Sequence, residues 1–342
     1  MSATRPTIND IARRAQVSIS AVSYALNNRP GVSDSTRERI LAIADSLGWR
    51  PSSAARTLHS AHTNALGLLL VGPEEDADSA YFLFEFLIGV QAELSAHDIL
   101  LVLHTAADMG DANVIYRRWR AEHRVDGIIL LNPLIDDPRI PVLTQLDIPA
   151  VIVGDARRSS ALPSVWTDDW RAARIAVEYL AELGHRRIAR IGICPYYLHS
   201  EIRRRAFSAA MHRVGLRADL SYPGGEFPDH EWILEMLRSA DPPTAVIFED
   251  PSVAVRATVA LQKAGVGIPD QLSVIAWDDT APCRLVQPAL TTLQRDVRQY
   301  GRLVTRRLMA AVAGDRAGHV KGTTTRLVPR DSTTWPNNSR TH

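Results

Sequence analysis

Apolar positions in the first fifty residues recur at helical spacing in three short bursts. Ile8, Ile11, Ala12 and Ala15 share one face of a first helix. Thr7 and Asp10 frame its start as a capping box, in which the Thr7 hydroxyl accepts from the Asp10 backbone N–H and the Asp10 carboxylate reaches back. Gln16-Val17-Ser18 breaks the pattern. Ser18 is placed to cap a second helix, Ile19 to Leu26, with Val22 and Leu26 on its apolar face. Asn27-Asn28-Arg29-Pro30-Gly31 is a turn by composition. Ser33 caps a third helix from about Asp34 to Leu47, striped by Ile40, Leu41, Ile43, Ala44 and Leu47 and stopped at Gly48. Three short helices with a tight second turn form the unit that lays its second helix in a DNA major groove. The spacing by itself fits a generic three-helix bundle as well.

Beyond residue 62 the pattern changes to apolar runs alternating with amphipathic stretches. Buried strands are expected at Leu66 to Val71, Ile99 to His104, Asp126 to Leu131 and Pro149 to Val153, with helices from Phe82 to Ala96 and Val114 to His123. A second set follows, with strands at Ile188 to Ile193, Thr244 to Phe248 and Ser273 to Trp277. Its helices run from about Trp170 to Leu183, Ile202 to Val214, Glu231 to Ser239 and Val253 to Ala264. Such alternation predicts parallel sheets with helices on both faces. Two such lobes leave a cleft between them at the carboxyl ends of strands.

Length and charge sharpen this division. A chain of 342 residues suits two or three domains. Its net charge of +1 conceals an uneven distribution, since residues 1–60 carry +4 and the remainder −3. A basic head on an acidic body suits a polyanionic partner, although a randomly basic surface accounts for the charge equally. Cys194 and Cys283 are too few and too far apart for a disulfide framework or a zinc motif. The polar N-terminus has no apolar signal core, and no stretch approaches the ~18 apolar residues of a membrane span. A cytoplasmic protein with no membrane partner, no cofactor and no metal is expected. Nothing points to an enzyme: there is no P-loop, no GxGxxG after a strand, no HExxH and no GxSxG. Asp278 and Asp279 are adjacent on a strand, so they face opposite ways and make a poor acid/base pair.

The residues themselves carry a resemblance. Thr7 to Ser18, then Ala21-Val22-Ser23-Tyr24-Ala25-Leu26-Asn27, Arg29 to Ser33, Thr36-Arg37-Glu38-Arg39-Ile40 and Leu47-Gly48-Trp49-Arg50-Pro51 resemble the head of the lactose/galactose repressor family, without a gap over more than forty residues. Ser52-Ser53-Ala54-Ala55-Arg56-Thr57-Leu58 resembles that family's hinge helix. So short a helix is not stable alone, and 52–62 also reads as a plain linker. The body resembles the family's sensor, shaped like a periplasmic sugar-binding protein, through Arg124 to Ile129, Leu183 to Ala189, Asp278-Asp279-Thr280 and Leu290-Thr291-Thr292. The resemblance implies an all-α helix-turn-helix head at 1–51, a hinge and linker at 52–62, and an α/β effector-binding and dimerisation domain at 63–332. Lobe one would be about 63–161 plus 291–328, and lobe two about 162–290. The polar tail 333–342 is expected to be disordered.

The family's roles, carried over residue by residue, imply a homodimeric repressor on a pseudo-palindromic duplex operator. Ile19, Ser20 and Tyr24 would read bases, with Tyr24 a departure from the arginine or histidine common there. Backbone and hinge contacts would come from Thr7, Arg13, Arg14, Ser18, Ser23, Asn27, Arg29 and Arg56, with Leu58 wedged into the central step. A small polar effector, a sugar or sugar derivative by expectation, would lie between Arg203 and Asp278, near Phe82, Phe227 and Trp277. Trp277 reads equally as core. Glu249-Asp250 replaces the family's frequent Asn-Asp, and Glu249 reads either as an effector acceptor or as the partner of an arginine. Loss of Arg203 is expected to abolish the effector response and leave folding nearly intact.

Overall fold

The computed structural model describes residues 6–49, 62–72, 80–223, 230–315 and 318–336. The hinge residues Ser52 to Leu58, Arg56 among them, and Phe227 lie outside these. The chain divides after Thr63 into two units.

The head folds as its sequence dictates. Helices α1 (Ile8–Ala15), α2 (Ile19–Leu26) and α3 (Asp34–Ser46) begin at Thr7, Ser18 and Ser33, each of which accepts a backbone N–H from three residues on. The Thr7–Asp10 capping box is complete. Ile11, Val22 and Ile40, one from each helix, are fully buried and pack with Ala12, Ala15, Ala25 and Ala44. That cluster is the reason three marginal helices hold together.

The second unit has two six-stranded sheets. Lobe one contains β1 (Ala65–Val71), α4 (Ala80–Ser95), β2 (Leu100–Ala106), α5 (Met109–Ala121), β3 (Gly127–Leu130), α6 (Arg139–Gln145), β4 (Ala150–Val153) and β5 (Ser164–Trp166). Lobe two contains α7 (Asp169–Glu182), β6 (Ile188–Ile191), α8 (Leu198–Arg213), β7 (Ser221–Tyr222), α9 (His230–Leu237), β8 (Ala245–Phe248), α10 (Pro251–Lys263), β9 (Ser273–Trp277), α11 (Ala281–Leu285) and β10 (Thr291–Gln294). The chain then returns to lobe one for α12 (Val297–Val312) and β11 (Val320–Lys321), and ends in lobe two with β12 (Arg326–Val328). Strand orders are β11-β5-β4-β3-β1-β2 and β12-β10-β9-β8-β6-β7. Only the β10–β12 pairing is antiparallel among these.

These pairings correct the expected lobe boundaries. A strand belongs where its backbone is bonded: β5 pairs with β4, so lobe one runs past 161, and β10 pairs with β9, so lobe two runs past 290. The segment 326–328 also joins lobe two. The chain therefore crosses between lobes three times. The tail expectation is corrected at its start. Thr333 Oγ1 is 2.8 Å from both Tyr179 Oη and Thr291 Oγ1, and the Thr334 N–H donates to Ser273 Oγ at 3.0 Å. Strand β2, expected to be buried, is an edge strand with Leu100 66% and Leu103 48% exposed.

Each sheet has apolar clusters on both faces. On one face of the first, Trp119 lies across Gly67, where an added Cβ would meet the indole at 2.4 Å. On the other, α4 and α12 approach closely enough that a Cβ on Gly89 would lie 2.0 Å from the Arg298 carbonyl oxygen.

Candidate functional site

Six strands of the two lobes deliver a residue to one cleft from their carboxyl ends. Asn132 follows β3, Asp155 follows β4, Thr167 follows β5, Glu249 follows β8, Asp278 follows β9 and Arg295 follows β10. Helix α8 adds His199 and Arg203, α7 adds Asp169, α4 adds Phe82, and α12 adds Tyr300. The enclosed volume is about 100 Å³, several times what one water needs.

A chain of alternating charges runs along the cleft. Asp278 accepts two bonds from the Arg295 guanidinium, at 2.7 and 2.8 Å. Asp169 is one of the charges acting on Arg295 and lies 3.4 Å from Arg203 Nε. Arg203 is 3.9 Å from Glu249, and Glu249 is 2.5 Å from Arg190. Three carboxylates and three guanidiniums alternate, and all but Arg295 come from lobe two proper. Burial alone would lower the Arg295 pKa, but Asp278 overrides this and raises it. Burial pushes the Glu249 carboxyl up against the pull of Arg190 and Arg203. Within these six side chains, two buried atoms make no hydrogen bond: Arg203 Nε and Glu249 Oε2. One is a donor and the other an acceptor, so one ligand hydroxyl can satisfy either.

The backbone is shaped for this site. Asp278 is a non-glycine residue at φ +72°, a conformation that costs free energy and clusters at ligand sites. Strand β9 ends at Trp277, so the two adjacent acids do not lie on it as expected; the turn at Asp278 is what separates them. Asp278 turns to Arg295, while Asp279 pairs with Arg330 at 2.8 Å and Arg284 at 3.2 Å.

The structure gathers Phe82, Arg203, Glu249 and Asp278 at the cleft. Trp277 is not on its wall. It is buried in the lobe-two core with the Arg203 guanidinium 4.5 Å above its ring, so it supports Arg203 from behind. Glu249 has the arginine partner that was one of its two readings, and it also faces the cleft. Sequence reasoning missed Arg295, Asp169 and His199. Arg295 had a signal, because it lies just beyond the quoted Leu290-Thr291-Thr292 run, at the carboxyl end of a strand.

Two histidines are held neutral. His185 Nε2 is 2.9 Å from the Thr334 carbonyl and Nδ1 is 2.8 Å from Thr244 Oγ1, so Nε2 carries the proton and donates. Burial lowers its pKa. His199 sits well below its ordinary value through burial first, then through the positive charges of Arg203 and Arg295. Both take up a proton on unfolding below about pH 6.5, so stability should be level above pH 7 and fall between pH 7 and 5. Each histidine contributes at most about 1.4 kcal/mol per pH unit. Thermal melts across that range check this. His199→Gln should flatten the slope, and an unchanged slope would refute the assignment.

In the head, Ile19, Ser20 and Tyr24 are exposed on α2, with Ile19 at 55%. Thr7, Arg13, Arg14, Ser18, Asn27 and Arg29 are also exposed, and Ser23 is half-buried. The Tyr24 ring rests on the turn, since a Cβ on Gly31 (φ +114°) would lie 3.2 Å from it.

Residues 7–52 match the bacterial regulatory proteins of the lacI family, and residues 177–333 match a periplasmic binding protein-like domain. The HTH-type transcriptional regulator AglR of Rhizobium meliloti (strain 1021) is 31% identical over 316 residues, spanning 89% of this chain and 87% of that protein. The chain belongs to the lacI family. This lacI-family protein is a DNA-binding transcription regulator answering to a small-molecule effector, and not an enzyme. It is also 27% identical to the probable HTH-type transcriptional repressor ExuR of Bacillus subtilis (strain 168) over 312 residues, which span 90% of this chain and 92% of that one. In fold it is similar to the lac repressor dimer bound to operator and the anti-inducer ONPF, with a TM-score of 0.84 at 22% identity, covering 97% of this chain and 100% of that chain. No helix among the described residues is long and apolar enough to cross a membrane.

Proposed function

We propose that this regulator is a cytoplasmic homodimeric repressor whose operator affinity is set by a neutral, hydroxyl-rich effector, a sugar or sugar derivative, held in the cleft by Arg203, Glu249 and Asp278. The observation that carries the effector class is that the acids of the cleft are already engaged: Asp278 by Arg295, Asp169 by Arg203, Glu249 by Arg190, Asp155 by Arg157, and Asp250 as the cap of α10. A ligand with net charge would enter a low-dielectric site without a counter-ion. Hydroxyls bring no net charge and both donate and accept, which suits Arg203 Nε and Glu249 Oε2, atoms held by ion pairing without a hydrogen bond. Phe82 offers an apolar surface for a ring face.

Dimerisation has support on lobe one. Phe84 on α4 and Leu100 and Leu103 on β2 are exposed, and an uncovered edge strand with apolar side chains invites pairing. Two-fold protein symmetry then requires a two-fold operator.

On the DNA side, the exposed face of α2 supports base reading by Ile19, Ser20 and Tyr24, with phosphate contacts from Arg13, Arg14 and Arg29. The test is selection of duplexes from a randomised pool by the purified protein. Wild type should recover a pseudo-palindrome whose binding weakens steeply with salt. Tyr24→Arg should shift the preferred half-site rather than abolish binding, because arginine gains the fork geometry for guanine. An unchanged preference would sink the assignment of Tyr24. A thermal-shift panel of neutral sugars, sugar acids and nucleosides tests the effector class, since a ligand of the folded state raises Tm. Hits confined to charged compounds would overturn it.

A further inference from the structure

Lobe two carries a second concavity, between helices α7 and α8. The two helices lie side by side and run in the same direction, since Asp169 meets Arg203 at 3.4 Å and, further along both, Glu178 meets Arg213 at 3.4 Å. The groove between them is lined on α8 by Ala206, Ala209 and Ala210 and holds about 380 Å³, against about 100 Å³ in the cleft. Short alanine side chains are what leave it hollow. It follows α8 from Ala206 to Arg213, two turns or about 10 Å. Trp170, in the first turn of α7, lines it with 47% of its surface exposed.

The rim is positively charged. Both oxygens of Asp168 are engaged: Oδ1 accepts the Arg171 backbone N–H at 3.0 Å as the cap of α7, and Oδ2 accepts from Lys321 at 3.0 Å. Glu178 faces Arg213. The exposed side chains of Arg171 and Arg174 have no carboxylate within ion-pairing distance among the described residues. They stand one helical turn apart. Two uncompensated charges thus border an alanine-lined groove, in a body whose own balance is −3. Tryptophan and arginine are also the side chains that carry most of the binding energy where proteins meet.

We propose that this groove docks an acidic amphipathic helix of another protein. The apolar stripe of that helix lies on the alanines and against Trp170, and its flanking carboxylates pair with Arg171 and Arg174 on one side and with Arg213 on the other. Shape favours a helix over a small molecule, because the groove is open along one side and small ligands bury most of their surface. Charge excludes a second copy of this chain in a two-fold contact, which would set Arg171 and Arg174 against their own counterparts. A nucleic acid duplex offers the charge but no apolar stripe for the alanines. The surface assigned above to dimerisation lies on the other lobe, so one contact does not use up the other. The docking is independent of what the cleft binds.

Binding of labelled peptides to the full-length regulator, followed by fluorescence anisotropy, tests it. One probe is a stapled helix of about four turns, with leucine at every third or fourth position and glutamate on both flanks. The other has glutamine in place of every glutamate. The glutamate peptide should bind at least about tenfold more tightly than the glutamine peptide, and the difference should shrink as salt rises. Arg171→Gln with Arg174→Gln should weaken its binding about tenfold, and Trp170→Ala by a similar factor. Arg186→Gln, at an exposed arginine elsewhere on lobe two, should change nothing. All four side chains are exposed, so the variants should melt with the wild type. Equal binding of the two peptides would overturn the proposal. Undiminished binding by the double arginine variant would place the peptide elsewhere, the basic head included, and would overturn it too. Displacement of the peptide by an equal concentration of inorganic phosphate or of random duplex would give the groove to that anion instead of a helix.

Discussion

Replacing Gly89 with valine will cost the sensor more than about 3 kcal/mol of stability, seen as a lowered urea midpoint and poor soluble yield. Even one added Cβ would lie 2.0 Å from the Arg298 carbonyl oxygen and 2.7 Å from its carbon, both backbone atoms of α12. Gly301 on α12 meets α4 in the same way, with a Cβ position 2.4 Å from the Phe86 carbonyl oxygen. Backbone cannot rotate aside as a side chain can, so the helices must separate. Phe86, Val90, Val304 and Leu308 are fully buried at that contact, and separation would open voids among them. Gln91→Val, on the exposed side of α4, should change stability by less than about 1 kcal/mol. Equal effects of the two valines would disprove the close approach.

Arg203→Met will abolish the response of operator binding to any hit from the ligand panel, and it will also destabilise the protein by about 3 kcal/mol. The sequence reading expected folding to be nearly unaffected. The structure changes that expectation, because Arg203 is buried between Asp169 and Glu249 and lies over Trp277. Glu249 retains Arg190, so Asp169 is the charge left without its partner. Adding Asp169→Asn should restore more than half of the lost stability, since a neutral amide needs no counter-ion, and should restore no ligand response. Recovery of both together would mean that Arg203 only holds the fold. A wild-type response in Arg203→Met would remove it from the effector site.

The head was legible because its information is local. Thr7, Ser18 and Ser33 each stand at an observed helix start, and Val22 and Ile40 lie at the expected buried positions. The central strands were legible as apolar runs, since β3, β4, β6, β8 and β9 are covered on both faces. What failed was pairing information. Strands β5 and β12 are three residues long and β10 is four, too short for periodicity, and which sheet they join is set by distant backbone. Polar pairing failed for the same reason. Arg190 sits inside the apolar run of β6, and only the fold brings Glu249 to it. Helix α5 begins at Met109 rather than near Val114, because Asp108 accepts the Asp111 N–H at 2.8 Å, a cap signal that the apolar stripe does not carry.

The three crossovers bear on how the chain is made in the cell. Lobe one lacks α12 and β11 until translation has passed Lys321, and lobe two lacks β12 until Val328. Helix α12 supplies Tyr300, Val304 and Leu308 to the core of lobe one, so the earlier part of that lobe leaves the ribosome with an uncovered apolar face. Neither lobe can finish before the other is nearly synthesised. Domain-by-domain folding during synthesis is thus closed to the sensor, which must wait until β12 has been made. The head, complete by Trp49, faces no such wait. A nascent or prematurely ended chain would carry a finished DNA-binding unit on an unfinished control unit, and for a regulator of transcription that is the more hazardous order.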